Sequence, residues 1–588
     1  MPSKSRGVGA KRQKTGNGAA KSSGAATVPA ADLASPLVDA TFTDTKRADF
    51  REKYTSAHPY NHIVVPDVAK DNVLRQVREE IVGNLRATFK ETDIYKMFQT
   101  GDLNNLDLLD KDSLSQLGTL DALRKALYSP KMRRWMSELL DCGELVERTD
   151  IACNVHAQGC HLLCHDDVIG TRRVSFILYL TDPDEPWCAD DGGALELYGL
   201  EDGRVGVPEV HPSHSVLPKW NHMAVFEVLP GRSFHSIGEV LTDGKPRLAI
   251  QGWFHAAEKP KGTEKATLAQ LTARSATEAA ERFVARKARG GVSGGVSSFV
   301  STLTKAERAL LEEFVNPEYL RDDVLRQTRE KFEAGEDSIQ LGGFLRADVA
   351  DAIAAAGVEE DTADGLGNGK AAPYSAGTAR GWIATGPPHK QRFMRYDPRK
   401  AKCEGAGAGK LLDRVRTRLM ASEAFMKLVA YIARGSVVGH RGQVRRFRPG
   451  CDYTIAHYGQ LIPEGDFVLD ATLCMVEDGS DEARYAWGSD NVGGFECYTP
   501  AEEGEDTAEA AEAYGAKKGK GGDDGSDDED GAALLSVSAA RNSLNLVLRG
   551  GGVMRFVKFV STAAPGSRWD VAMEYEMGEM EGSDDEAD

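Results

Sequence analysis

Cys164-His165-Asp166-Asp167 sets an imidazole and a carboxylate two residues apart, just before the β-prone run Val174–Leu180. In a strand, positions i and i+2 point to the same face, so His165 and Asp167 can reach one ion. His235 opens another β-prone run 70 residues after His165, and Arg247 begins a third run twelve residues later. Two imidazoles and one carboxylate on one face of an octahedral ion leave three positions open, the facial triad of non-haem Fe(II) oxygenases. Those positions admit a bidentate keto acid plus dioxygen. An arginine in the same cavity can clamp the far carboxylate of the keto acid. Tyr179, near the end of the run after Asp167, is placed to add a hydroxyl to that carboxylate.

His-x-Asp by itself recurs by chance, and a surface loop histidine is the plain alternative for His165. The distal His235, Arg247 and the β-rich frame give the pattern its weight. A zinc site competes, because Cys153, Cys160, His161, Cys164 and His165 crowd together. Structural zinc prefers a second Cys pair elsewhere, and none is evident, so zinc is the lesser reading. His211, His214 and His222 read as solvated loop histidines, and Asp166 as an outer-shell or surface acid.

These residues need rigid elements. His62–Val65 is β-prone, and Val73, Leu74, Val77 and Ile81 follow at helical spacing. From Ile151 to His255 short runs (Val174–Leu180, Ala194–Tyr198, Ala224–Val228, Leu248–Phe254) alternate with Asp-, Pro- and Gly-rich turns, which points to a β-sandwich or barrel. Helical spacing returns at Leu303–Phe314 and Val324–Phe332, and a second β-rich region covers 450–500 and 541–576. Between the two regions, 256–300 reads as a helix plus a Gly-rich linker.

The β regions repeat one another. Gly192-Gly193 resembles Gly493-Gly494, and Asn221–Phe226 resembles Asn542–Val547. Extending that second pairing sets His235 on Phe556 and Arg247 on Arg568. Upstream, Leu163-Cys164-His165 resembles Ile455-Ala456-His457, and strand-then-helix openings recur at His62–Val82 and Ser338–Ala356. His457 is followed two residues on by Gly459, not Asp. One imidazole cannot hold ferrous iron, so the second copy is expected to be metal-free.

Composition narrows the class. Lys plus Arg is 72 against 90 Asp plus Glu, a net charge of −18, which argues against a nucleic-acid coat over the whole chain. The charge is uneven: residues 1–30 hold Lys4, Arg6, Lys11, Arg12, Lys14 and Lys21 without an acid. Lys11-Arg12-Gln13-Lys14 fits a nuclear import signal as well as a solvated basic tail. Residues 502–533 carry blocks of acids and read as a disordered insertion. No apolar run reaches the 18 residues a membrane span needs, and the basic N-terminus lacks the apolar stretch of a secretory signal. Nine thinly spread cysteines read as reduced thiols of cytosol or nucleus.

At these residues the sequence resembles the two-domain 2-oxoglutarate- and iron-dependent prolyl 3-hydroxylases of the OGFOD type, which act on a small-subunit ribosomal protein. Asp93–Leu103, Leu162–Asp167, Arg172–Leu180, Gly192-Gly193, Ser233–Val240, Arg247–Phe254, Val315–Leu320 and Asn542–Val547 carry the likeness, which covers roughly 45–260 and 305–576. It implies iron at His165, Asp167 and His235, and 2-oxoglutarate at Tyr179 and Arg247. It also implies a mainly β fold with flanking helices, two double-stranded β-helix (jelly-roll) domains in tandem. The expected layout is a disordered basic tail over 1–44, a catalytic domain over 45–258, a linker over 259–304, a degenerate domain over 305–576 and an acidic tail over 577–588. The implied reaction is hydroxylation of a ribosomal prolyl residue with Fe(II) and 2-oxoglutarate, ascorbate being an open accessory, in nucleus and cytoplasm. The family usually has a tyrosine near His156, a departure here. Other oxygenase substrates, or a non-enzymatic two-domain adaptor, are the alternatives.

Overall fold

The computed structural model describes residues 28–273, 283–286, 299–401, 407–489, 491–501 and 534–580. Two curled antiparallel sheets dominate it. The first has eleven strands: β1 (His62–Val65), β2 (Thr88–Glu91), β3 (Tyr95–Gln99), β4 (Thr149–His156), β5 (His161–His165), β6 (Arg172–Tyr179), β7 (Leu195–Leu197), β8 (His214–Val216), β9 (Met223–Glu227), β10 (His235–Ile237) and β11 (Arg247–His255). They run in the order β1-β9-β6-β11-β4-β3-β5-β10-β7-β8, with β2 hairpinned onto β3.

Strand alternation divides each central strand between two cores. Val174, Phe176 and Leu178 of β6, with Leu248, Ile250 and Phe254 of β11, pack against the helices Asp71–Asn84, Gly118–Leu127 and Pro130–Leu140. Ile177, Tyr179, Ala224, Phe226 and Ala249 face the barrel interior instead. Arg247, Gln251 and Trp253 share the parity of Ala249, so a one-residue slip would bury them against the helices.

The second sheet repeats this plan. Its strands run Ser338–Gly342, Ser543–Arg549, Phe467–Met475, Arg568–Met580, Gly435–Phe447, Gln391–Tyr396 and Trp382–Thr385. Tyr453–Thr454 pairs with Gln391–Tyr396, and Glu496–Pro500 sits between Leu535–Val537 and Val553–Val557. Every strand of the first barrel thereby has a counterpart. The pairing registers equate His62 with Ser338, His165 with His457, and Arg247 with Arg568.

One equivalence shifts. His235 pairs with Leu197, four residues after Gly193, whereas Tyr498, four after Gly494, pairs with Arg555. Arg555, not Phe556, therefore occupies the inward position of His235. Phe556 points the other way and packs with Phe495 and Cys497.

Order also starts earlier than composition suggests. Ala30–Ala34 is helical, Leu37 bridges Ala69, and Phe42 stacks edge-on against Trp135 at 4.9 Å, so residues 28–44 are anchored by buried apolar contacts. At the other end the strand Arg568–Met580 runs past the expected domain limit. The long strand Gly435–Phe447 lies outside the two β-rich regions expected from sequence. The expected linker is not only a spacer: its helix Thr263–Thr272 packs on the first barrel, and Val284–Ala285 pairs with Gly435–Phe447. The Lys11-Arg12-Gln13-Lys14 cluster, the glycines at 290–295 and the insertion 502–533 lie outside the described residues.

The barrels meet through buried aromatic contacts. His389 stacks on Phe234 at 5.3 Å and His161 lies 4.3 Å from Phe559. Burial, with Lys390 beside it, pushes His389 down to about 3, and burial pushes His161 down to about 4. An unfolded imidazole titrates near 6.5. Below that pH the unfolded chain takes up protons that the folded chain refuses, so the stability present above pH 6.5 drains away as pH falls toward 4 for His161 and toward 3 for His389. At pH 5 the loss is about 2 kcal/mol for each fully buried ring. Asp93, raised to about 6 by burial, works in the opposite sense. A His389→Phe variant, followed by chemical denaturation, is expected to lose about 2 kcal/mol less than the parent between pH 7 and 5. Equal losses would refute this assignment.

Candidate active site

β5 delivers His165, the loop after it delivers Asp167, and β10 delivers His235. The three ligand atoms lie within 4.8 Å of one another, and among the described residues no other such group of His, Cys, Asp or Glu occurs. His165 Nε2 is 3.3 Å from Asp167 Oδ1, and His235 Nε2 is 3.4 Å from Asp167 Oδ2. Ligands about 2.1 Å from one ion and at right angles stand about 3 Å apart, so a small closure completes the set. Asp167 does not get there by strand alternation, as its spacing from His165 suggests. It lies beyond β5 at φ 61°, in the left-handed region, and this turn swings its carboxylate back to the imidazoles.

Each ligand is oriented by a partner. His165 Nδ1 is 2.8 Å from the Leu163 carbonyl and His235 Nδ1 is 2.9 Å from the Ser233 carbonyl. Each carbonyl takes the ring N–H, which leaves the Nε2 lone pairs facing Asp167. Asp167 Oδ2 accepts from Ser175 Oγ at 3.0 Å and from Trp253 Nε1 at 3.0 Å. Burial weighs against the Asp167 charge, yet His235 and His165 hold its carboxyl well below the usual range. His165 keeps some exposure, 23% of its side chain, against 5% for Asp167 and 1% for His235. The centre is therefore open on the His165 side.

The inner face of the same barrel also carries buried polar atoms left without a hydrogen-bond partner, namely the Tyr179 hydroxyl, Nη2 of Arg247 and both ring nitrogens of His156, with the Arg247 guanidinium 5.2 Å over the Tyr179 ring. Arg247 is fully buried, donates Nε–H to the Gly193 carbonyl at 2.7 Å, and has no carboxylate in ion-pairing range among the described residues. A buried guanidinium without a counter-charge is costly. A dicarboxylate reaching in from the metal centre would satisfy it together with Tyr179, so this donor set fits 2-oxoglutarate, as the triad fits Fe(II). His156 pairs with Arg247 across the sheet. Burial, then the nearby Arg247 charge, keeps that imidazole neutral.

Among the described residues the second barrel offers no equivalent. Arg568 donates from Nη1 to the Gly494 carbonyl where Arg247 donates from Nε to Gly193, but Glu496 and Asp570 lie 3.5 and 3.2 Å from its Nη2. Internal carboxylates thus occupy the place of a bound anion. At the positions of the triad stand His457, Gly459 and Arg555. The Arg555 guanidinium pairs with Asp470 and Glu574, and such a cation opposes a divalent metal.

Sequence reasoning missed several contributors. Ser175 shares a face with Tyr179, Trp253 shares one with Arg247, and the two are cross-strand partners. A polar residue on an inward strand face was the signal available for them. Asp166 is buried rather than on the surface, and accepts from Gly231 N at 2.8 Å and Gln270 Nε2 at 2.6 Å. His214 begins a strand, and His211 stacks on Tyr374 at 5.8 Å rather than facing solvent. Cys153, Cys160 and Cys164 are buried free thiols in no metal-competent group, which removes the zinc alternative for the described residues.

The role of Trp253 is testable. Trp253→Phe keeps the packing and removes one donor to Asp167. A charged hydrogen bond of this kind is worth about 1.5–3 kcal/mol, so Fe(II) binding should weaken about tenfold or more. A calorimetric titration with unchanged affinity would exclude the role.

Comparison with known proteins follows the same lines. A family model described as 2OG-Fe(II) oxygenase superfamily matches residues 151–255. Another, described as oxoglutarate and iron-dependent oxygenase degradation C-term, matches residues 306–584. The prolyl 3,4-dihydroxylase OGFOD1 of Ostreococcus tauri is 39% identical over 525 residues, covering 88% of this chain and 95% of that protein. The prolyl 3-hydroxylase OGFOD1 of Xenopus laevis is 33% identical over 302 residues, 51% of this chain and 49% of the relative. Prolyl 3-hydroxylase sudestada1 of Drosophila melanogaster is 31% identical over 222 residues, 36% of this chain and 38% of the relative. With a relative matched over nearly its whole length and a barrel that fits the cofactors, the chain belongs to the OGFOD1 family of 2-oxoglutarate- and Fe(II)-dependent prolyl hydroxylases.

Proposed function

We propose that this prolyl hydroxylase modifies the 3-position of a prolyl residue in a small-subunit ribosomal protein, with consequences for translation accuracy or termination. In this reading His165, Asp167 and His235 hold the iron, and Tyr179 with Arg247 holds 2-oxoglutarate. The observation that carries the site is the convergence of three candidate ligand atoms within 4.8 Å in a barrel whose inner face also carries a buried, uncompensated Arg247. The substrate reading rests on the sequence resemblance and on relatives named prolyl 3-hydroxylase. The basic cluster at Lys11–Lys14 supports residence in nucleus and cytoplasm.

When bound, the iron supplies dioxygen activation coupled to decarboxylation of 2-oxoglutarate to succinate and carbon dioxide. The chain's own residues do the positioning. Arg247 and the Tyr179 hydroxyl receive the far carboxylate of 2-oxoglutarate. Leu163 and Ser233 carbonyls hold the histidine rings, and Ser175 and Trp253 hold the carboxylate. Ile177, Ala224 and Phe226 line the interior with apolar surface, and Phe226 meets the His235 ring edge-on at 4.8 Å. That wall excludes water from the side away from His165. The second barrel, with a guanidinium in place of the distal histidine, takes no metal.

Mass spectrometry of small ribosomal subunits incubated with enzyme, Fe(II), 2-oxoglutarate and ascorbate tests the substrate. A prolyl residue of one small-subunit protein is expected to gain one oxygen, or two if this chain acts as its Ostreococcus relative is named. Succinate release without any ribosomal product would leave the oxygenase standing and overturn the substrate.

A further inference from the structure

We propose that the second barrel is a positioning part of the metal centre, holding the two histidines in register with Asp167. This rests on the reading of His165, Asp167 and His235 as the metal ligands. The ligand set is supported from two sides. The Asp167 carboxylate is fixed wholly within the first barrel, by Ser175 and Trp253. The histidine strands are backed by the second barrel instead.

The residues on either side of His235 alternate away from it: Phe234, just before β10, meets the second barrel directly, and Ser236 meets it through Glu196 and Tyr198. Phe234 stacks on His389. The Ser236 hydroxyl donates to Glu196 at 2.7 Å and contacts the Tyr198 hydroxyl at 3.0 Å. Both of those groups are held from across the interface. Tyr374 donates to the Glu196 carboxylate at 2.9 Å, and Arg392 Nη1 donates to the Tyr198 hydroxyl at 3.1 Å. On β5, Leu163 packs with Tyr453, Ile455 and Phe559 of the second barrel. Leu163 is also the residue whose carbonyl orients His165.

Arg392 is 3% exposed and lies over the Tyr374 ring at 4.3 Å. Burying a guanidinium costs free energy that apolar packing would avoid. Its hydrogen-bonded chain runs through Tyr198 to Ser236, one residue from a metal ligand. Such partners orient ligands, and losing them commonly costs about 10–100-fold in metal affinity. All three residues lie in the first barrel, but the second barrel backs only the strands that carry the histidines, so loosening the interface is expected to move those histidines relative to the carboxylate.

The test uses the full chain and Co(II) as the probe, read by its d–d absorption. Tyr374→Phe and Arg392→Met, combined, are expected to weaken Co(II) binding about 10–100-fold and to alter the band shape, with circular dichroism unchanged. Phe559→Ala, which breaks the separate apolar contact to β5, is expected to do the same and stands in if Arg392→Met does not fold. Tyr485→Ser, on the second barrel and 79% exposed, is expected to match the parent. Parent-like affinity and spectrum in both folded interface variants would overturn the proposal. Failure of the ligand reading looks different: His235→Ala would then bind Co(II) as the parent does.

Discussion

Iron uptake, and with it 2-oxoglutarate-coupled proline hydroxylation, is expected to vanish when His165, Asp167 or His235 is replaced by alanine. Each supplies one of the three ligands proposed among the described residues, and the residues behind them cannot move up to substitute. Ser175 and Trp253 present donors, and the Leu163 and Ser233 oxygens already serve the histidine rings. Removal of an outer partner costs about 10–100-fold in such sites, so loss of a ligand should exceed about a hundredfold. Asp167→Asn is the sharper variant. It keeps the side-chain volume yet removes the negative charge that balances the metal, and turns part of an acceptor into a donor facing Ser175 or Trp253. Metal content of the purified variants and succinate release measure both effects. His457→Ala is the internal comparison, expected to leave metal content unchanged because its neighbours there are Gly459 and Arg555. Hydroxylation surviving in a His165→Ala, His235→Ala double variant would end the assignment.

Arg247→Met is expected to act on 2-oxoglutarate rather than on iron. Arg247 is buried with no counter-ion among the described residues, so a cosubstrate carboxylate fits it as the partner we propose. Truncating one member of a buried charged pair costs about 2–5 kcal/mol, or roughly thirtyfold to several thousandfold in the 2-oxoglutarate KM. Rates at saturating 2-oxoglutarate should fall much less, and metal content should hold. Arg568→Met provides the contrast. Its guanidinium is already answered by Glu496 and Asp570, so 2-oxoglutarate dependence should not change. Initial rates against 2-oxoglutarate concentration decide this, and equal shifts in KM and kcat in Arg247→Met would point to general damage instead.

The chemistry of the site was legible in the chain because it depends on residue type and order. Two imidazoles, a carboxylate, an arginine and a tyrosine stand at the spacing a jelly-roll barrel requires, and strand alternation assigns most of them to the inner face. The tandem repeat was legible for the same reason. Glycine pairs with positive φ recur as Gly192-Gly193 and Gly493-Gly494, where a backbone carbonyl close behind the first glycine of each pair leaves no room for a Cβ. Pairing register was not legible to one residue, so Phe556 was set where Arg555 stands. Sequence similarity across a loop does not count residues, and a strand changes face with each one.

What the sequence determined alone was which side chains are candidates to hold the metal and cosubstrate, and the mainly β frame that alternation and turns impose, since both follow from local composition. What only the tertiary structure decided was everything carried by contacts distant in the chain. Asp167 reaches the histidines through a left-handed turn, and Trp253 comes to it from 86 residues away. Glu496 meets Arg568 in the cavity of the second barrel, and Arg392 backs Tyr198 across the domain interface. Such pairings form because a closed barrel brings strands together irrespective of their separation along the chain, and no local pattern encodes which side chains then meet.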